Sequence, residues 1–168
     1  MIGLGDKHCN LAVYIGNRPH LDEYKTLGSL KPAGDGELIR IGRETGNHWR
    51  KIINIYAKLG FALDPGDYMT WQSYRDSFLL SKYSRQALLF DDDIVTEREN
   101  CISIICGKTH AMKILNDHDL TWLDKDFAMD AAKSIIVTPY FDYRQLSNVK
   151  LEKLVNLIRK HKTNRVLN

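Results

Sequence analysis

Cysteine and proline are scarce in this chain, and long hydrophobic runs are missing. The three cysteines, Cys9, Cys101 and Cys106, form neither a disulfide framework nor a paired C-x-x-C metal site. Cys101 and Cys106 bracket the strand-like run C-I-S-I-I-C, where free cysteine behaves as a small buried hydrophobe. No window approaches the roughly 18 apolar residues of a membrane span. The opening M-I-G-L-G-D-K-H-C-N has no charged segment followed by an apolar one, so no signal peptide is visible. These absences point to a reducing, cytoplasmic setting without membrane contact.

Other signatures are missing too. The six histidines show neither H-x-x-x-H nor H-E-x-x-H spacing, so the expectation is no metal and no cofactor. No G-x-S-x-G elbow occurs. Gly107-Lys108-Thr109 resembles the end of a phosphate-binding loop, but Ile102 stands where the upstream glycine belongs, which argues against a Walker NTPase. Asp91-Asp92-Asp93 are of hard-ion ligand type. Consecutive strand residues point alternately, however, so a solvated acidic turn is expected instead.

What is present reads as an ordinary globular domain. A hydrophobic content of 43% with 27% charged residues is typical of a chain that buries a core, and 168 residues suit one domain, 1–168. A net charge of +3 says little about partners, but its distribution says more. Lys150, Lys153, Arg159, Lys160, Lys162 and Arg165 face the single acid Glu152 in the last stretch, with a basic tail at about 160–168. That clustering suits either a solvated helix face or attraction to phosphates or an acidic surface.

Apolar runs at L-A-V-Y-I-G (11–16), A-L-L-F, C-I-S-I-I-C and S-I-I-V predict four buried strands. Helices are predicted between them. One is short, over Glu37 to Arg43. The clearest places Trp49, Ile52, Ile53, Tyr56 and Leu59 on one stripe, with Asn47 as its cap and Gly60 as its end. Further helices are expected over 70–80, from about His110 to Asn116, and at the close, where Leu151, Leu154, Val155 and Ile158 repeat the spacing. The fold class is therefore α/β: a single-domain sandwich with a mostly parallel four-stranded central sheet covered by helices. Ligands of such sheets bind beyond the carboxyl ends of the strands.

The richest of the strand-end loops is T-P-Y-F-D-Y-R-Q-L-S-N, Thr138 to Asn148. Asp142 and Arg144 can form a pair or leave an arginine ready for phosphate. Tyr140 and Tyr143 can stack on bases or pack the loop down. Ser147 or Asn148 can cap the final helix and aim its N–H groups outward. A self-satisfied structural loop remains the competing reading.

In order along the chain, several segments resemble the uracil-DNA glycosylase superfamily. Y-I-G-N-R-P-H resembles its glycine-led first loop, and N-H-W-R-K-I-I-N-I-Y-A-K-L resembles its N-I-Y-type helix. A-L-L-F-D-D-D-I-V-T and I-I-C-G-K-T-H-A resemble its later strands, and V-T-P-Y-F-D-Y-R-Q-L-S-N falls where its DNA-entering loop lies. The resemblance implies a shared architecture more than a shared activity. Arg18 stands at the family's water-positioning aspartate, Tyr140 at its last-loop histidine, and Phe90 or Asp91 at its uracil-reading asparagine. The sequence also resembles a small family of uncharacterised bacterial proteins.

The resulting expectation is binding of DNA or a nucleotide at the strand ends. Asn17, Arg18, His20, Lys108, Arg144 and Asn148 would contact phosphate or ligand, Tyr140 and Tyr143 would stack, and Asp142 is the candidate catalytic residue. Two alternatives stand beside it: an interaction or homo-oligomeric module without a small ligand, and a divergent glycosylase-like hydrolase. Oligomeric state is not readable from the sequence.

Overall fold

The computed structural model describes residues 1–94, 100–115 and 119–166. Its centre is a block of four parallel strands: β2 (Leu11–Tyr14), β4 (Gln86–Leu89), β5 (Ile102–Cys106) and β8 (Ile135–Thr138), in the order β4-β2-β5-β8. Every residue of the four is buried, as expected of strands with both faces covered. Val13 pairs with Leu88 on one side and Ile104 on the other, and Ile105 pairs with Val137.

The sheet is wider than the expected four strands. Eight strands run in the order β3-β1-β4-β2-β5-β8-β7-β6. The additional members are β1 (Gly3–Gly5), β3 (Leu30–Lys31), β6 (Thr121–Trp122) and β7 (Ala128–Asp130). β1 runs antiparallel to β4, β7 antiparallel to β8 and β6 antiparallel to β7, so the sheet is mixed. These added strands are two or three residues long and carry no alternation. Their partners define them, not their own pattern.

Helices α1 (Asp22–Lys25), α2 (Glu37–Glu44), α3 (Asn47–Leu63) and α4 (Trp71–Ser77) follow β2. α5 (Lys108–Ile114) follows β5, and α6 (Asn148–Val166) follows β8. Alternate strand residues divide the core. Val13, Leu88, Ile104 and Ile136 pack with Trp49, Ile52, Leu154 and Ile158 on the face of α1–α4 and α6. Ala12, Tyr14, Leu89, Ile105 and Val137 pack with Ala111 and Leu115 on the face of α5. The chain therefore leaves β2 toward one face and the adjacent β5 toward the other, which opens a crevice between their carboxyl ends.

The apolar stripe of α3 is buried as its spacing predicts, but the helix does not stop at Gly60. Gly60 lies inside it because a Cβ there would sit 2.6 Å from Gln86 Nε2 and 2.7 Å from the Tyr74 hydroxyl. Gly46, not Asn47, precedes the first turn. The basic segment expected as a tail is helical through 166: Arg165 and His161 both reach Ser134 Oγ, at 2.8 and 2.9 Å. Asn116, the expected end of the fifth helix, lies outside the described residues. No described helix is long and apolar enough to cross a membrane.

Candidate functional site at the carboxyl end of the sheet

Three loops meet beyond the ends of β2, β5 and β8. Gly16, at φ 74, lets the chain turn out of β2 so closely beneath α5 that a Cβ would stand 2.9 Å from the His110 ring. Asn17 follows, and its amide donates to the Tyr140 hydroxyl at 2.8 Å. The Tyr140 oxygen is 3.1 Å from His48 Nε2, and the two rings stack at 5.6 Å. Because Asn17 supplies a hydrogen to the phenol oxygen, the phenol's own hydrogen is free for His48 Nε2. Burial pushes the Tyr140 phenol up to about 12, so at neutral pH it is a donor and not a phenolate. His48, on the first turn of α3, had no motif to announce it. Only its i, i+3 relation to Lys51 on a polar face of that helix was visible.

Asp142 is fully engaged. Its Oδ2 accepts from Lys51 Nζ at 2.7 Å, and its Oδ1 accepts the Arg144 backbone N–H at 2.9 Å. The Lys51 hydrogen bond, then that backbone bond, hold its carboxyl below the ordinary aspartate value. A carboxylate stabilised in this way is a weak base, so its geometry suits an anchor for the loop better than the catalytic role expected of it. Tyr143 lies beneath Lys58, with the ammonium 4.9 Å from its ring centroid. His48, Lys51 and Lys58 thus pin Tyr140, Asp142 and Tyr143 along one side of α3.

Arg18 departs from the expected phosphate role. Its guanidinium donates to the carbonyls of Tyr24, Lys25 and Leu27 at 3.1, 3.3 and 2.9 Å. It closes the end of α1, where carbonyls otherwise lack partners. His20 is exposed and makes no hydrogen bond among the described residues, and Asn148 is the exposed first residue of α6. The triple aspartate does not converge, but it is not the solvated turn expected throughout, since Asp91 is largely buried while Asp92 and Asp93 are exposed. Asp91 takes the Ile2 N–H at 3.0 Å, while Asp92 bonds His110 at 3.1 Å and Lys113 at 2.5 Å.

Lys108 and Arg144, both anticipated, do converge. With Lys125, Lys150, Pro139 and Gln145 they line a groove of about 330 Å³ in which Asp126 is the one acid. Asp126 is already paired with Lys150 at 3.0 Å. Lys108 extends over the exposed Trp122, its ammonium 4.6 Å from the ring centroid. Thr138 Oγ1 and His110 Nδ1, at the same end of the sheet, are buried without hydrogen-bond partners among the described residues.

A family model described as a family of unknown function (DUF6942) matches residues 2–159. The chain belongs to the DUF6942 family. Comparison with curated proteins and with solved structures returns no match. In this DUF6942 chain, then, chemistry must be read from the groove itself. It offers three cations that form no ion pair within 4 Å among the described residues, Lys108, Lys125 and Arg144, and Lys108 in turn covers the exposed indole of Trp122. Such a surface can hold phosphate oxygens and stack a flat ring.

Proposed function

We propose that this DUF6942 chain binds nucleic acid or a nucleotide through the groove at the carboxyl end of its sheet. The observation that carries the reading is the convergence of Lys108, Lys125 and Arg144 on one groove, with the exposed Trp122 ring under Lys108. The cations take phosphates, and Trp122 stacks a base, a combination that tolerates sequence and favours unpaired strands. The docking-module alternative has less support. Lys150, Lys153, Arg159 and Arg165 of the basic helix are held by Asp126, Asp124, the Ala62 carbonyl and Ser134. Glycosylase-like hydrolysis through Asp142 also loses support, because that carboxylate is neutralised by Lys51.

The test is a titration of the purified protein with a single-stranded oligonucleotide, a duplex and a mononucleotide at several salt concentrations. Lys108→Ala with Arg144→Ala is expected to weaken oligonucleotide binding and to flatten the log–log salt dependence by about 1–2, roughly one unit for each lost phosphate contact. Trp122→Ala is expected to cost about 1–3 kcal/mol of binding with the salt slope kept. Salt-sensitive binding that the double variant leaves intact sinks this reading.

A further inference from the structure

A cavity of about 670 Å³ lies at the other end of the sheet. It opens where β4 begins, beside Gly5 at the end of β1. Leu30 and Pro32 supply apolar wall, and Lys7, Lys82 and Arg85 supply positive charge. Tyr83 stands at 75% exposure, with the Lys82 ammonium 5.3 Å from its ring centroid. The one acid present, Asp6, is buried and spent on the backbone. Its Oδ1 takes the His8 N–H at 2.9 Å and its Oδ2 the Arg85 N–H at 3.1 Å. None of Lys7, Lys82 and Arg85 has a carboxylate partner among the described residues.

Arg85 carries a second, independent signal. Its φ is 56°, in the left-handed region that glycine enters freely and side-chain-bearing residues enter seldom, here with Leu80, Asn100 and Ser134. The conformation is over-determined, because the Arg85 carbonyl also accepts from Asn10 N at 2.8 Å and Leu11 N at 3.3 Å. Glycine would meet every one of these backbone demands without strain. A long cation kept at such a place points to use of its side chain, which borders the cavity and makes no hydrogen bond among the described residues.

The geometry points to a binding site here for a small aromatic anion, its phosphate or sulfonate held by Arg85 and Lys7 and its flat ring laid against Tyr83 and Pro32. Arginine matches the oxygens of such an anion with paired N–H groups. The apolar wall and the exposed phenol ring cover the ligand's uncharged part. Asp6 adds specificity by holding the two loops at a fixed separation while leaving the cavity without a free negative charge.

Calorimetric titration of the full chain with 1-naphthyl phosphate at low ionic strength tests the site. The native protein is expected to bind saturably. Arg85→Gly is expected to weaken binding roughly tenfold, the effect of one charge-assisted hydrogen bond, while melting where the native protein melts. A purely structural arginine gives the opposite pattern: lower stability with affinity kept. Tyr83→Ala removes an exposed ring and is expected to weaken binding whether or not Arg85→Gly folds well. Lys133→Ala, at an exposed lysine that lines neither this cavity nor the groove at the opposite end, serves as the comparison and is expected to leave this affinity unchanged. The proposal is overturned by an absence of saturable binding. It is equally overturned by full affinity in both Arg85→Gly and Tyr83→Ala, or by an equal loss in Lys133→Ala.

Discussion

Lys51 and Asp142 lie 91 positions apart in sequence and meet at 2.7 Å, each side chain about one-fifth exposed. This pair ties the loop after β8 to the first half of α3. It also decides what Asp142 can do: a carboxylate bonded to both an ammonium and a backbone amide holds its position and its charge, and accepts a proton poorly.

Replacing Asp142 by Asn should therefore act on stability in a pH-dependent way. The folded-state carboxyl titrates below its ordinary value of 3.8. Its contribution is thus complete above that value and is lost as the pH falls through the lower folded one. In urea denaturation the variant should be less stable than the native protein near neutrality, by about 0.5–1 kcal/mol for a partly exposed pair. The gap should close in strong acid. A gap that is constant with pH would mean that the ion pair contributes nothing.

Arg18→Ala separates the two roles open to that residue. The three carbonyls at the end of α1 lose a charged donor, which should cost about 1.5–3 kcal/mol, discounted for their partial exposure to water. Oligonucleotide affinity at low salt should not change. Lost affinity with unchanged stability would return Arg18 to the phosphate-contacting set.

Gly60→Ala puts helix propensity against packing. Alanine is favoured in a helix interior by about 1 kcal/mol. Its methyl group, however, would press on Gln86 Nε2 and the Tyr74 hydroxyl, which hydrogen-bond each other at 2.6 Å in the interior. Displacing that bond should cost about 1–3 kcal/mol. A net loss in thermal stability is expected, and a gain would show that the Tyr74–Gln86 contact yields easily.

The central strands were legible because each is an uninterrupted apolar run, the pattern demanded by burial on both faces. β1, β3, β6 and β7 were not. G-L-G, L-K, T-W and A-M-D hold too few residues to show a period, and they become strands only by joining an edge already built. α3 was readable from its stripe, yet Gly60 passed for a terminator because close approach of two polar side chains leaves no mark in local sequence. The loop at 138–148 declared itself by composition. Its partners did not, since His48 and Lys51 sit three apart on a helix while Tyr140 and Asp142 sit two apart on a loop, and only the folded chain matches these spacings. The orientation of Arg18 was hidden for the same reason.

At both margins the sheet tapers to two-residue strands, Leu30–Lys31 in β3 and Thr121–Trp122 in β6. Unpaired backbone along a sheet margin is a template on which a second chain can grow into fibrillar aggregates. Here each margin offers only a few such groups. On one side Pro32, the residue after β3, has no amide hydrogen to give. A broad open sheet is in this way kept from recruiting strands of other molecules, without having to curl into a barrel.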